Sequence, residues 1–318
     1  MKVTEHIQKA KGQTLFSLEV LPPKKGEDIN NLFGSIDPLL EFKPAFIDVT
    51  YHREEYISRI LEDGREVRQK TRKRPGTVGI CAAIINKYGI DTVPHLICGG
   101  FSKDDTENAL IDLNFLGIDN VLVLQGDALK TEKEFVPHKE GNQYASDLLI
   151  QVKNLNEGKY LDEDLGYQAK TDFCVAVAGY PEKHFAATSL DEDMKYLKHK
   201  VDLGADYIVT QMFFDNKKYF DFVDRCRANG ITLPIIPGIK PLASKTHIIN
   251  LPKAFYLDMP QDLVKAVEKC KDNDEAKIVG VEWCIQQCKE LKAAGVPSLH
   301  FYTMSRSTLT KKICEQVF

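Results

Sequence analysis

The amino-acid sequence predicts an α/β protein with a (β/α)8 TIM barrel, formed by a single domain over residues 1–318. Short apolar segments typical of buried strands alternate with helix-like segments along the chain, which indicates a parallel sheet. Eight strand–helix units are present, and the chain is somewhat longer than a typical barrel of about 250 residues. The alternative is an open doubly wound sheet, which often carries a G-x-G-x-x-G turn, and this sequence contains no G-x-G.

Each strand prediction rests on a run of apolar or β-branched residues bounded by glycine, proline or polar residues. The predicted strands are TLFSLEVL (14–21), FIDVTY (46–51), TVPHLIC (92–98), DNVLVLQGD (119–127), DFCVAVAGY (172–180), ADYIVTQ (205–211), LPIIPGI (233–239) and SLHFYT (298–303). The intervening segments have helical spacing of apolar residues or end in glycine. Helices are predicted at about 26–41, 76–90, 103–116, 143–157, 190–203 and 216–229, in several segments up to about 294, and after the last strand.

Three polar stretches, 51–76, 128–143 and 158–171, are predicted to be loops of the same domain. The first two follow strands, so they belong to the face where barrels keep their active sites. The basic cluster REVRQKTRKRP (65–75) lies in the first of them. A charge run of this kind predicts a solvated surface segment rather than a binding patch.

Composition excludes several classes of partner. The net charge of −4 gives no general attraction to nucleic acid or to an anionic membrane surface. The chain has no apolar run long enough for a membrane helix, and its first residues lack the apolar core of a signal peptide. Eight cysteines without a C-x-x-C pair indicate free thiols. We therefore expect a cytoplasmic protein without nucleic-acid or membrane partners.

Strand alternation predicts which side chains of the first strand face the barrel lumen. Phe16, Leu18 and Val20 form one uniformly apolar face, which should point outward because helices cover the outside of a barrel. Ser17 and Glu19 are then directed inward, with Glu19 near the C-terminal mouth. A buried carboxylate without a partner is costly, so Glu19 is either exposed on an edge strand or part of an active site.

The same test directs Asp48 and Thr50 inward on the second strand, whereas the direction of the face carrying Val93, His95 and Ile97 stays open. A polar residue at the C-terminal end of a barrel strand is typical of an active site. His95 by itself could equally be a hydrogen-bonded core histidine. The candidate polar residues at strand ends are Glu19, Thr50, His95, Gln125, Asp127, Tyr180, Gln211 and Thr303.

Motifs for other chemistries are weak or absent in the sequence. Glu19, His95 and Asp127 offer metal-ligating atoms, but no H-x-H or H-E-x-x-H spacing supports a metal site, and none is predicted. A serine hydrolase would need a G-x-S-x-G elbow, which is missing. Lys240 follows the seventh strand, so a Schiff-base lyase with Lys240 as nucleophile stays an alternative.

A set of collinear motifs resembles the methylenetetrahydrofolate reductases, flavin-dependent enzymes of one-carbon metabolism and methionine biosynthesis. The set covers almost the whole chain, and its order is more specific than any one member. The motifs are FSLEVLPPK, DVTY, PHL, QGD, YASDL, AGYPEKH, DLGADYIVTQMFFD, IIPGIKP and HFYTMSR.

This resemblance implies a (β/α)8 barrel that binds FAD at its mouth and works by a ping-pong reaction. NADH or NADPH would reduce the flavin and leave, and 5,10-methylenetetrahydrofolate would then be reduced to 5-methyltetrahydrofolate. The resemblance also implies a homo-oligomer. The chain ends soon after the barrel, so the C-terminal regulatory domain of eukaryotic relatives is not expected. A flavin-free pterin-binding barrel, such as a methyltransferase component, is the closest alternative.

The family's catalytic residues match particular positions of this chain. Glu19 matches the general acid that protonates the folate nitrogen so that the imidazolidine ring opens, and burial should raise its pKa. Asp127 matches an aspartate beside flavin and pterin. Gln211 matches a glutamine that contacts both substrates, Arg306 an arginine suited to the glutamate tail, and His247 a residue near the substrate.

The FAD site implied by the resemblance is larger. Lys200 is the natural partner of the pyrophosphate, whereas Tyr196 and His199 match contact positions where side chains vary. Gln125 stands where the family often has arginine, so the flavin phosphate contacts should be rearranged. The full set of expected FAD positions is Thr50, His95, Gln125, Gly126, Asp127, Tyr144, Ala145, Tyr180, His184, Ala187, Asp193, Tyr196, His199 and Lys200.

Overall fold

In the computed structural model, parallel strands form a barrel that is surrounded by helices, and the structure describes residues 1–129, 132, 134–304 and 306–318, with the backbone alone at 56 and 70. The strands are β1 Leu15–Val20, β2 Phe46–Val49, β3 Glu55–Ile60, β4 Glu66–Thr71, β5 Asp91–Ile97, β6 Asn120–Leu124, β7 Cys174–Gly179, β8 Tyr207–Thr210, β9 Ile235–Ile236, β10 Gly238–Ile239 and β11 Ser298–Tyr302. The helices are α1 Val3–Lys9, α2 Ile29–Ile36, α3 Thr77–Tyr88, α4 Lys103–Phe115, α5 Ala145–Asn156, α6 Leu190–Asp202, α7 Asn216–Ala228, α8 His247–Phe255, α9 Gln261–Glu268, α10 Asn273–Ala293 and α11 Ser307–Val317, with a 3-10 helix at Asp37–Phe42.

The barrel closes through a strand that is divided in two. The sheet runs in the order β10-β11-β1-β2-β5-β6-β7-β8-β9, and β9 and β10 are consecutive pieces separated by Pro237. Proline has no N–H to donate to the ladder, but its carbonyl accepts from His300 N at 3.1 Å. Counting β9 and β10 as one strand gives eight parallel barrel strands, which confirms the predicted TIM barrel.

Side chains alternate between two cores, as the strand pattern predicted. Phe16, Leu18 and Val20 belong to the outer core between sheet and helices. The lumen has its own apolar cluster, which includes Phe46 and Val93. His95 follows Val93 by two residues, so it is also directed inward, which resolves the direction that the sequence left open.

The N-terminal segment forms a helix that the sequence analysis did not assign. The side chain of Val3 on α1 is fully buried in the lumen cluster. Val3 N donates to Asn120 Oδ1 at 2.8 Å, and His6 Nε2 lies 2.8 Å from Asp91 Oδ2. Both partners stand at the first residues of their strands, so α1 covers the bottom of the barrel, opposite the mouth.

The polar stretch 51–76 is not simply a loop, because β3 and β4 pair there as an antiparallel hairpin. Its turn contains Gly64 at φ +80°, a backbone angle that favours glycine. The hairpin is exposed along much of its length, so its strands lack the apolar alternation by which strands are recognised. The basic cluster forms β4 and the residues flanking it, and most of it is exposed, as predicted.

The eight cysteines are all buried and all free, which confirms the prediction of free thiols. No helix in the described part of the chain combines the length and the apolar character needed to cross a membrane.

Candidate active site

Glu19 is the central carboxylate of the barrel mouth. It is the penultimate residue of β1, 8% exposed, and pairs in register with Asp48 of β2 and Tyr302 of β11. Burial raises the pKa of Glu19 to about 7; the charge of Asp48 also raises it, whereas those of His95 and Lys240 oppose the shift. The side chain is therefore protonated in a large fraction of molecules near neutral pH.

His95 lies between two carboxylates. Its Nε2 is 3.3 Å from Asp48 Oδ2, within hydrogen-bond distance, and 3.8 Å from Glu19 Oε2. Burial lowers the pKa of His95, but the hydrogen bond to Asp48 and the charges of both carboxylates outweigh this and raise it. The imidazole thus carries a positive charge more readily than an ordinary histidine.

Three basic side chains, Lys240, His247 and Arg306, form a group that acts on Glu19 through Lys240. Burial and the charge of Arg306 lower the pKa of Lys240, with Glu19 acting in the opposite direction. Burial lowers the pKa of His247, and the charges of Lys240 and Arg306 lower it further. Lys240 Nζ also donates to the Tyr302 carbonyl at 3.5 Å. The structure thus brings the predicted residues His247 and Arg306 together around Lys240.

A second group of predicted residues surrounds the end of β7. This β7 group consists of Tyr180, His184, Asp193 and Lys200. The rings of Tyr180 and His184 are 4.6 Å apart at 70°, and His184 N donates to Asp193 Oδ2 at 3.1 Å. Lys200 Nζ donates to the Ala178 carbonyl at 2.9 Å. Burial lowers the pKa of Lys200 to about 8, with the charge of Asp193 opposing the change. Tyr180, Asp193 and Lys200 also line a small cavity between β7 and α6.

The ends of β2 and β6 carry the next predicted residues. Thr50 Oγ1 donates to the Val20 carbonyl at 3.4 Å, and Gln125 Nε2 donates to the Gln143 carbonyl at 3.1 Å. Gly126 has φ +91°, and a Cβ there would lie 3.3 Å from Ile97 Cβ. Burial raises the pKa of Tyr180, and the charges of Asp193 and Asp127 add to this shift, so exposed Asp127 acts on the β7 group.

The remaining predicted residues are outside the buried groups, except that Ala187 contacts His184. Tyr144 and Tyr196 are 60% and 55% exposed, and His199 is exposed on the same helix as Tyr196. Ala145 begins α5 directly after Tyr144. Ala187 is buried, and its N–H donates to the His184 carbonyl at 3.1 Å. Gln211 follows β8, and its Oε1 accepts from Met212 N at 2.9 Å.

Two residues of the mouth were not predicted as site residues from the sequence. Asp48 was directed inward by alternation, but only the register of β1 and β2 places it beside Glu19. Lys240 was considered as a Schiff-base nucleophile, whereas here its charge acts on Glu19. The available signal was a carboxylate on the inward face of FIDVTY, since inward carboxylates are rare in a barrel filled by apolar side chains.

Together, the fold and the mouth define an enzyme of the (β/α)8-barrel class with a buried carboxylic acid beside basic side chains. A family model described as methylenetetrahydrofolate reductase matches residues 2–318. The 5,10-methylenetetrahydrofolate reductase of Escherichia coli is 30% identical over 315 residues, covering 98% of this chain and 93% of that protein. The chain belongs to the methylenetetrahydrofolate reductase family.

Longer relatives match over part of their length. Methylenetetrahydrofolate reductase 1 of Schizosaccharomyces pombe is 34% identical over 309 residues, which are 96% of this chain and 46% of that protein. Methylenetetrahydrofolate reductase (NADH) 1 of Arabidopsis thaliana is 33% identical over 317 residues, with 96% and 49% covered. The chain spans about half the length of these relatives.

Among solved structures, an oxaloacetate acetylhydrolase in complex with oxalate aligns with a TM-score of 0.51 and 13% sequence identity. The alignment covers 96% of this chain and 80% of that one. At this identity the likeness concerns the barrel fold alone.

Proposed function

We propose that the protein reduces 5,10-methylenetetrahydrofolate to 5-methyltetrahydrofolate with NADH or NADPH, through a bound FAD and by a ping-pong reaction. The observation that carries the proposal is Glu19, a buried acid at the barrel mouth whose pKa is raised to about 7. The names of relatives support both nucleotides, NADH in Arabidopsis thaliana and NADPH in Caenorhabditis elegans.

The proposed role of Glu19 is to protonate the ring nitrogen that leaves when the imidazolidine ring of the folate opens. The acid must be protonated at working pH, which burial favours, and it must be within reach of the substrate, which the position of Glu19 at the barrel mouth supports. The positive charges of Lys240 and Arg306 would attract the anionic glutamate tail of a folate. Gln211, Asp127 and His247 are proposed to contact the substrate.

The β7 group fits the diphosphate of a flavin dinucleotide. Lys200 is a partly buried cation that donates to a backbone carbonyl, and a bound diphosphate would add negative charge to that of Asp193. Gly126 has φ +91°, a backbone angle that favours glycine at this position after β6. When bound, FAD would accept a hydride from the nicotinamide and deliver it to the folate. The residues proposed to hold it are the fourteen positions given in the sequence analysis.

The visible spectrum of purified protein supplied with FAD tests the proposal. We expect a flavin spectrum that NADH or NADPH bleaches without oxygen, and that methylenetetrahydrofolate then restores. A colourless protein that binds folate would favour the flavin-free pterin-binding barrel instead. A yellow protein that neither nucleotide bleaches would contradict the proposed reductase. Size-exclusion chromatography of the same sample tests the predicted homo-oligomer.

The pH dependence of the folate half-reaction follows from the pKa of Glu19. A proton donor loses activity as the pH rises through its pKa, so the rate should fall about tenfold per pH unit well above pH 7. This fall in rate is the alkaline limb of the pH profile. Reduction of the flavin by the nicotinamide nucleotide needs no such proton, so its profile should lack the alkaline limb. Stopped-flow absorbance of each half-reaction measures both profiles, and a shared alkaline limb would argue against Glu19 as its cause.

Removal of the cation at Arg306 should weaken folate binding. Arg306→Gln is expected to raise the Kd of 5-methyltetrahydrofolate about tenfold, since a hydrogen bond to a charged group contributes about 1.5–3 kcal/mol. Equilibrium titration by flavin absorbance measures this value. A pteroate analogue without the glutamate should bind the variant and the parent equally. An equal loss for both ligands would place Arg306 away from the tail.

A further inference from the structure

Three ionisable side chains form a row across adjacent strands of the barrel mouth. Glu19 of β1 and Asp48 of β2 are register partners, and Asp48 is the partner of Val93, two residues before His95 on β5. His95 Nε2 lies 3.3 Å from Asp48 Oδ2 and 3.8 Å from Glu19 Oε2. One imidazole nitrogen is therefore shared between a buried acid and a second carboxylate.

Asp48 is the most deeply buried member of this row, with 0% exposure. Its Oδ2 accepts from His95, and its Oδ1 has no hydrogen-bond partner among the residues that the structure describes. A carboxylate buried in this way requires a nearby positive charge. His95 is the group in hydrogen-bond contact that can supply it. The proposed reaction assigns Asp48 no role.

We propose that Asp48 is a positioning residue for proton donation: it holds His95 as a cation facing Glu19, so that the carboxylate left after proton transfer is stabilised. This inference rests on the proposed function of Glu19. In the transfer, the O–H bond of Glu19 breaks and an N–H bond forms on the folate nitrogen. The proton of His95 Nε2 stays in place, and Glu19 later regains a proton from water.

The charge pattern of the mouth agrees with this assignment. With Asp48 ionised, His95 cationic and Glu19 protonated, the row is neutral as a whole, which suits a buried site. After transfer, the new charge on Glu19 lies 3.8 Å from the imidazolium. Stabilising the conjugate base makes Glu19 a stronger acid at the moment when it must release its proton.

Other titratable groups around the row do not replace His95. Burial lowers the pKa of His300, and the charge of His95 lowers it further despite Asp48, so His300 tends to stay neutral. Lys240 acts on Glu19 with the smallest of the contributions to its shifted pKa. Among the described residues, the titratable groups that interact with the row from neighbouring elements are His52 after β2, Cys81 of α3, Tyr207 of β8, Lys240 after β10, and His300 and Tyr302 of β11.

Asp48→Asn tests the inference in the FAD-loaded protein. The folate half-reaction should slow roughly tenfold or more, part of the 10²–10⁴ that a general acid supplies, whereas flavin reduction by nicotinamide should change little. The alkaline limb of the folate half-reaction should move to higher pH. Loss of Asp48 itself lowers the pKa of Glu19, but the accompanying loss of the His95 charge, the larger of the two influences, raises it.

A second readout does not depend on activity. In protein labelled with ¹⁵N-histidine, NMR should show His95 titrating above the ordinary histidine range in the parent and at lower pH in Asp48→Asn. The signal is assigned by its absence in His95→Gln. Asp48→Ser serves as a second variant if the amide prevents folding, and thermal melts check both. An unchanged His95 titration, or equal slowing of both half-reactions without a shift of the limb, would overturn the inference.

Two further variants separate the possible failures. Asp206→Asn is the matched control, because Asp206 accepts from Val175 N and Lys153 near the start of β7 and takes no part in the row. It should leave the limb and the His95 titration unchanged. If Glu19→Gln keeps full folate reduction, the proposed function itself fails. If Glu19→Gln loses it while Asp48→Asn behaves as the parent, only the role of Asp48 fails.

Discussion

Glu19→Gln is expected to slow folate reduction by about 10²–10⁴-fold while leaving flavin reduction by NADH or NADPH near the parent rate. The amide keeps the size and much of the hydrogen bonding of the acid, but it has no proton to give to the folate nitrogen. Glu19 is buried beside His95, and its pKa is raised to about 7, so the carboxylic acid is available near neutrality. Stopped-flow absorbance of the flavin measures each half-reaction separately.

Glu107→Gln is the matched control for this substitution. Glu107 of α4 is also buried, at 9% exposure, and its Oε2 accepts from Leu161 N at 2.9 Å, away from the mouth. It should leave both half-reactions unchanged. If Glu19→Gln instead slowed both half-reactions by the same factor, the residue would be acting on flavin binding or on folding rather than as a proton donor.

Lys200→Met is expected to raise the Kd for FAD about 10- to 100-fold. A hydrogen bond to a charged group contributes about 1.5–3 kcal/mol, and each 1.4 kcal/mol corresponds to about a factor of ten. Methionine retains most of the volume of the lysine stem, so the packing of α6 against β7 should survive. Quenching of flavin fluorescence on titration into the FAD-free protein measures the affinity.

Lys198→Met provides the comparison on the same helix. Lys198 is half-buried and paired with Asp202 one turn later, a contact that contributes little. It should bind FAD as the parent does, and Lys200→Arg should retain part of the affinity. Equal FAD binding by Lys200→Met and the parent would remove Lys200 from the diphosphate site and would shift attention to the other cations of the mouth.

The barrel itself was predictable because its signals are local. Buried parallel strands are continuous apolar runs, and the helices between them have their own period, so the order of elements could be read without knowing any contact. The hairpin β3–β4 and helix α1 were not predicted from the sequence. The hairpin is mostly exposed, and α1 is a short helix of seven residues whose buried contact is mainly Val3.

The candidate site was likewise predictable only where its features depend on a local pattern. Alternation within one strand directed Glu19 and Asp48 inward, because the side-chain period of a strand is two whatever surrounds it. Their contact across β1 and β2, the direction of His95 and the charge of Lys240 beside Glu19 depend on strand register and loop paths.

The sequence by itself therefore determined the barrel, the inward acid and, through its motifs, the resemblance to a family. Only the tertiary structure decided that Glu19 shares His95 with Asp48 and that its pKa is raised to about 7. The physical reason is that burial and charge–charge interactions depend on distances between residues far apart in the chain, which a local pattern does not contain.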